Sequence, residues 1–423
     1  MSNLLITSAK VAFPGNPFHG KEVDVLLNDG EISKIAPRIE VTDDKVTTFD
    51  AKGQYLAPGF FDLNANFGEP GLETKEDLLS GCAAALAGGF TGVAVHPNTH
   101  PPVHSRSEVA LIINRMKSLP IDIHPVGAIS KRREGEELAE LYDMKLAGAV
   151  AFGDGNRPVQ QAGLMSRALC YCKGFGGVVF SFPEDTSVAG DAKMNEGVTS
   201  TYLGMKGKPN LAEALMVARD LYLAEYNDSS IHFTTISTAE SVALIRKAKS
   251  KGLSVTCDVA AHHLVFTDDL VAGFESNYKV NPPLRTKTDV KALLEGLEDG
   301  TIDAIVSQHT PHEIEFKQVE FHIAANGIIG LQTVLPLALQ AGLGTDQLIE
   351  KLAIGPRRVL ALPLPEFKEK ALANFVLFDT EKTWQFDKST NRSKSSNSPL
   401  MGRAIKGGVT LVVNKRQIIN TLN

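Results

Sequence analysis

The sequence predicts a (β/α)8 barrel flanked by a small β-sandwich that both chain ends build. Three observations lead there. The chain has 423 residues, too many for one small core and enough for a barrel of roughly 250–300 residues plus an appendage. Its middle alternates strand-like and helix-like segments. Both ends carry short strand patterns.

At the start, Val23–Leu27 and Glu31–Ile35 flank Asn28-Asp29-Gly30, a hairpin with a glycine-containing turn. Near the other end, Phe375–Asp379 and Val409–Lys415 read as strands, so the two ends pair into one small unit. Lys388–Pro399 is rich in Ser, Asn and Lys and is expected to be an exposed loop. Leu56-Ala57-Pro58-Gly59-Phe60 is an apolar run that leads into Phe61–Gly71, a buried strand whose end opens into a loop. Further strands are expected at Gly92–His96, Ile121–His124, Ala149–Phe152, Gly177–Phe180, Ile231–Thr234, Leu253–Cys257 and Ala304–Val306. Helical periodicity falls between them, at Lys75–Ala87, Ser107–Lys117, Asn210–Glu225 and Thr238–Lys251. No Gly-x-Gly-x-x-Gly follows a first strand, which disfavours an open doubly wound sheet.

Composition narrows the function. Hydrophobic content of 43% and charged content of 22% are those of an ordinary globular protein. A net charge of -6 argues against a nucleic-acid surface. No run of 18 apolar residues predicts a membrane span. Met1-Ser2-Asn3-Leu4 does not begin a secretory signal, so a cytoplasmic protein is expected. Four cysteines make no disulfide framework; Cys170 and Cys172 fall on different faces of a helix-like segment. All four are expected as thiols.

Several motifs then occur in one order along the whole chain. They are Asp62-x-Asn64-x-Asn66-x-Gly68-Glu69-Pro70-Gly71, His96-Pro97-Asn98, Met194-Asn195-Glu196-Gly197, Asn281-Pro282-Pro283, His309-Thr310-Pro311-His312 and Gly327–Thr333. Together they resemble the dihydroorotases, cyclic amidohydrolases of pyrimidine synthesis. The resemblance implies an amidohydrolase-type (β/α)8 barrel with a β-sandwich from both termini. It sets boundaries at residues 1–55, 56–366 and 367–423. In active members of that family, His and Asp side chains hold zinc at the barrel mouth. The metal lowers the pKa of bound water from about 15.7 to roughly 7, and the hydroxide attacks the cyclic amide.

The resemblance also shows what this chain lacks. Asn64 and Asn66 stand for a His-x-His pair, and Gly68 for the Arg that grips the substrate carboxylate. Asp154 is the one ligand kept. Phe182 and Thr235 stand for His, and Gln308 for the Asp that moves the proton. Amides are weak ligands, and glutamine cannot accept a proton as a carboxylate does. Asn98, Asn281 and His309 match positions that line the substrate pocket, beside Gly68. His232 keeps the first position of a His-x-x-His pattern, and His262-His263 belongs to a motif that active relatives share. His96 and His124 lie in strand candidates from which they could reach the mouth.

A degenerate, non-catalytic homologue without a metal is therefore expected. Non-catalytic dihydroorotase homologues are known as assembly partners of aspartate carbamoyltransferase, which suggests that partner and an oligomeric state here. Two alternatives stand beside this reading. One is an active cyclic amidohydrolase with an altered metal site that interconverts carbamoyl aspartate and dihydroorotate. The other is a ligand sensor using the old pocket.

Overall fold

Two neighbouring residues show how the chain is layered. Phe60 and Phe61 sit side by side on one strand, so their side chains leave opposite faces. Phe60 points outward, its ring centre 6.0 Å from Phe90 and 5.7 Å from Phe378. Phe61 points inward and joins Leu63, Ala94, Val126, Phe180 and Val306 in the barrel interior. The computed structural model describes residues 3–42 and 45–421.

The first strands, β1 (Asn3–Val11), β2 (Glu22–Asn28), β3 (Glu31–Ala36), β4 (Val46–Asp50) and β5 (Tyr55–Pro58), form the N-terminal part of one sheet. The barrel strands come next. They are β6 (Phe60–Ala65), β7 (Phe90–Val95), β8 (Asp122–Gly127), β9 (Ala151–Phe152) and β10 (Val178–Ser181). A two-stranded insertion, β11 (Met194–Asn195) and β12 (Gly207–Lys208), follows. The barrel resumes with β13 (Ile231–Phe233), β14 (Val255–Ala260) and β15 (Ala304–Val306). The chain ends on β16 (Phe375–Phe386), β17 (Arg403–Asn414) and β18 (Gln417–Asn420).

The eight barrel strands run parallel in the order β15-β14-β13-β10-β9-β8-β7-β6. Asn66 N–H donates to His309 O at 3.0 Å, and Ser307 N–H to Asp62 Oδ1 at 2.9 Å, which ties the first strand to the last. Helices cover the outside, and their boundaries follow their caps. The helix read from Lys75 begins at Leu78, because the Asp77 carboxylate accepts Leu79 and Ser80 N–H and ends the extended chain there. The helices at Arg106–Met116, Leu211–Asn227 and Ala239–Ser250 lie within two residues of the predicted ranges. The terminal sheet has the order β18-β17-β16-β5-β1-β2-β3, with β4 on β1, so both chain ends share it. β2 and β3 form the predicted hairpin. Ile6, Val25, Leu27, Phe375, Leu377 and Leu411 make its own core.

One expectation fails. The Ser/Asn-rich stretch before residue 400 is not an exposed loop throughout. Ser395, Asn397 and Ser398 are buried. Asn397 Nδ2 donates to Thr310 O and Gly327 O, each at 3.0 Å, and Asn397 Oδ1 accepts His312 N–H at 3.1 Å. The stretch is a strap that pins the loops after β15 by side-chain amides. All four cysteines are free thiols, with Cys170 exposed and Cys172 buried. Among the described residues, no helix is long and apolar enough to cross a membrane.

Candidate functional site at the barrel mouth

The loops that follow the barrel strands enclose a cavity of 160 Å³. Asn64 and Asn66 reach it from the end of β6, Asn98 from the loop after β7, and Asn156 from the loop after β9. Phe182 contributes from the loop after β10, Asn281 from the loop before the next helix, and Gln308 from the end of β15. Asn326, Thr310 and two glycines complete the wall. Among the described residues lining it there is no charged side chain.

The amides are held in place by their neighbours. Asn66 Nδ2 donates to His309 O at 2.8 Å and Thr310 Oγ1 at 3.2 Å, while its Oδ1 accepts the Asn98 amide. Asn64 Nδ2 donates to Thr235 Oγ1 at 3.0 Å. Gln308 Nε2 donates to Asn281 O at 2.8 Å. Lys208 Nζ donates to Asn281 Oδ1 at 2.7 Å and pairs with Glu184 at 2.5 Å. Arg133 Nη2 donates to Asn156 Oδ1 at 2.6 Å, and its Nε donates to Asp154 O at 2.9 Å.

The residues expected from the sequence divide here. Asn64, Asn66, Asn98, Phe182, Asn281 and Gln308 converge on the cavity. Thr235 lies behind Asn64, fully buried, at a backbone φ of +55°. That is the left-handed region, which a β-branched residue rarely occupies. Asp154 turns away: Oδ1 accepts Ser130 N–H at 3.0 Å, Oδ2 accepts the Ser130 hydroxyl, and burial raises its pKa.

Two expected pocket residues are placed elsewhere. His309 is buried beneath the mouth, where Gly330 N–H donates to Nδ1 at 3.2 Å; its proton therefore sits on Nε2, 3.2 Å from Glu76 Oε2. Gly68 has φ +63°, and a Cβ there would lie 2.5 Å from Glu76 O and 2.6 Å from Leu72 O. The loop is built around glycine, so a side chain at 68 has no room. His124 lines a different cavity at the opposite, N-terminal end of the strands, beside Phe61 and Arg357. His96 Nε2 contacts Leu63 O at 3.0 Å, and burial pushes its pKa down to about 4. His232 stands between Asp258 and Thr256 at 3.0 and 2.8 Å.

Sequence reasoning did not find Asn156, Asn326, Lys208 or Arg133. Asn156 follows Asp154 by two and Asn326 precedes the Gly327 motif by one, so proximity to a motif was the available signal. Lys208 and Arg133 reach the site from segments with no pattern of their own.

Do these residues fit the metal that the family fold implies? Histidine and carboxylate donors are what such a site requires. Here the amides are bonded to each other and to the backbone, Asp154 is bound to Ser130, and an aromatic ring fills the Phe182 position. Among the described residues, no group of three or more His, Cys, Asp or Glu is placed to hold a metal ion. The residues do not fit.

The fold and the mouth define an amidohydrolase-type barrel. L-hydantoinase (dihydropyrimidinase) from Arthrobacter aurescens superposes with a TM-score of 0.83 at 22% identity, covering 99% of this chain and 96% of that one. The dihydropyrimidinase from Brevibacillus agri NCHU1002 gives 0.80 at 18% identity over 99% and 95%. The dihydro-orotase-like family model matches residues 53–241. The dihydroorotase of Geotalea daltonii is 42% identical over 423 residues, 99% of both chains. That of Citrifermentans bemidjiense is 41% identical over 422 residues, again 99% of both. This chain belongs to the dihydroorotase family.

Proposed function

We propose that this chain is a non-catalytic dihydroorotase homologue of de novo pyrimidine biosynthesis, acting in the cytoplasm as an assembly partner of aspartate carbamoyltransferase. One observation carries the non-catalytic reading. The positions that bear metal ligands and the proton-transferring Asp in active relatives carry Asn64, Asn66, Phe182, Thr235 and Gln308 instead, and the polar ones are engaged in hydrogen bonds. No hydroxide can be generated without a strong ligand set, and no side chain at 308 can take its proton. The partner rests on the resemblance and on the intact scaffold, which retains a full barrel and terminal sheet around the altered mouth.

Three measurements test this. Elemental analysis of untagged protein should give far less than one zinc per chain. Dihydroorotate and carbamoyl aspartate should not interconvert; turnover of about 1 s⁻¹ or faster, the low end of ordinary enzymes, overturns the reading. The protein should co-elute with aspartate carbamoyltransferase from the same organism and raise the yield of its assembled form. Independent elution with unchanged assembly removes the partner role.

A further inference from the structure

Away from the mouth, one buried charge lacks the partner that burial ordinarily demands. Arg357 is 4% exposed, and a guanidinium taken out of water is rare without a carboxylate beside it. Its Nη1 donates to Gly59 O at 2.7 Å and Ala353 O at 2.9 Å, and its Nη2 donates to Thr91 Oγ1 at 3.2 Å. The guanidinium carbon lies 5.4 Å from the centre of the Phe61 ring. Carbonyls, a hydroxyl and a ring thus surround the cation, and among the described residues no carboxylate forms an ion pair with it. Of its five N–H groups, the one on Nε and one on Nη2 are left over.

Arg357 lines the 290 Å³ cavity at the N-terminal end of the barrel strands. The other polar side chains of that lining are Asp122, His124 and Asn374. Asp122 is already paired: Lys415 Nζ lies 3.0 Å from Oδ1, and Asn414 Nδ2 donates to Oδ2 at 3.2 Å. With that lysine counted, the surroundings hold one positive charge in excess. Asn374 Oδ1 accepts the Thr91 hydroxyl at 2.8 Å, which leaves Nδ2 to donate. The His124 ring packs 5.2 Å from the Phe61 ring, centre to centre, and has no hydrogen-bond partner among the described residues. Burial pushes its pKa down to about 4, so at neutral pH the ring is uncharged and offers one N–H. Half of the wall is apolar, made by Phe61 and the linker 362–365. The volume corresponds to about ten waters at ~30 Å³ each, space for an anion of about nine non-hydrogen atoms.

We propose that this cavity binds a small monocarboxylate with an apolar body, its carboxylate seated on Arg357 beside Asn374 Nδ2 and His124. A carboxylate supplies the acceptors that these donors lack, and its single charge balances the excess. The apolar body covers the wall at 362–365, so chloride and phosphate are poorer occupants. The site lies at the opposite end of the strands from the mouth and is independent of whether the mouth is catalytic.

The test is calorimetric titration of the full chain with benzoate and isovalerate, against benzamide, chloride and phosphate, beside NMR of the histidine ring signals. Benzoate should bind at least tenfold more tightly than benzamide, chloride or phosphate. Saturation should move the His124 signals, identified by their loss in His124→Phe, and raise the His124 pKa, because a nearby anion favours the imidazolium. Asn374→Asp keeps the oxygen that Thr91 bonds, so it is expected to fold. It sets a second carboxylate in the cavity and should weaken benzoate at least tenfold. No saturable heat with either carboxylate up to about 10 mM, ten times a millimolar dissociation constant, overturns the proposal. So does binding that leaves the His124 signals in place, or an Asn374→Asp variant of unchanged affinity. Benzamide, chloride or phosphate binding as tightly as benzoate overturns it too.

Discussion

Putting histidine back at positions 64 and 66 should destabilise the protein and should not recruit zinc. Asn66 takes part in three side-chain hydrogen bonds and Asn64 in one. An imidazole N–H can remake about one of the four. At about 0.5–1.5 kcal/mol each, the net loss is about 3 kcal/mol. Forcing two larger rings into the packed wall adds about 1–3 kcal/mol. Unfolding entropy of about 2.1 cal/mol/K per residue over 423 residues makes about 0.9 kcal/mol/K. The Asn64→His/Asn66→His variant should therefore melt roughly 4–7 °C below wild type. Zinc at a hundredfold over its dissociation constant would return about 2.7 kcal/mol, or roughly 3 °C. No such recovery is expected, because Phe182, Thr235 and Gln308 add no strong ligand and Asp154 is bound to Ser130. The assay is a thermal melt of both proteins with zinc and with EDTA. Recovery by zinc in the variant, or a fall of several degrees with EDTA in wild type, refutes the reasoning.

Four further outcomes follow from the structure. Thr235→Asn should raise stability by about 1 kcal/mol, because Asn tolerates positive φ at lower cost than a β-branched residue; Thr235→Val keeps the strain, loses the bond to Asn64 and should cost about 1–2 kcal/mol, and urea unfolding that ranks Val above Asn defeats this. Asn397→Ala removes three bonds to the loops after β15 and should cost about 2–4 kcal/mol, with faster limited proteolysis within 311–327. Gly68→Arg should not create affinity for dihydroorotate and should destabilise by more than about 2 kcal/mol, since its Cβ meets two backbone carbonyls. Stability should fall as pH drops from 6.5 towards 4. Burial holds His96, His124, His263 and His312 down to about 4, and His262 lower still, so unfolding takes up protons there. Asp62, pushed up to about 7 by burial, together with the raised Asp154 and Asp220, releases protons and offsets part of this. A net uptake of two protons or more gives roughly 3 kcal/mol per pH unit, and a urea midpoint that is flat between pH 7 and 5 contradicts it.

The barrel was legible because parallel strands buried on both faces read as continuous apolar runs. Gly92–His96 and Ala304–Val306 are such runs, and both became strands. The strap before residue 400 was misread for an equally physical reason. Ser and Asn signal a loop by composition, but whether their amides meet solvent or the carbonyls of Thr310 and Gly327 is decided by the fold. At the mouth, the motif frame located the side chains that converge, yet it placed Gly68 and His309 in a lining they do not join. A frame transfers positions along the chain. It does not transfer the loop path, and the path around Gly68 is set by a left-handed turn that only the three-dimensional chain reveals.

Carboxyl groups beneath the loops explain how the mouth holds its shape. Carboxylates beneath the loops each staple a backbone N–H and a second group. Asp62 holds Ser307 N–H and its hydroxyl; Asp154 holds Ser130 in the same way. Asp258 accepts Thr235 N–H at 2.6 Å and contacts His232 at 3.0 Å. Glu76 accepts Lys394 N–H at 3.0 Å from the strap, and lies 3.2 Å from His309 Nε2. These staples fix the ends of β6, β9, β13 and β15, the strand ends around which the cavity forms. Thr235 and Gln308 remain at φ +55° and +46°, a backbone that costs about 1–3 kcal/mol at such positions, and for Thr235 the Asp258 staple supplies the constraint. The loop geometry is thus secured from below, by Asp62, Asp258 and Glu76 as well as by Asp154. A side chain at the mouth can change from imidazole to amide without collapsing it, which is how an ordered, uncharged pocket can persist on this scaffold.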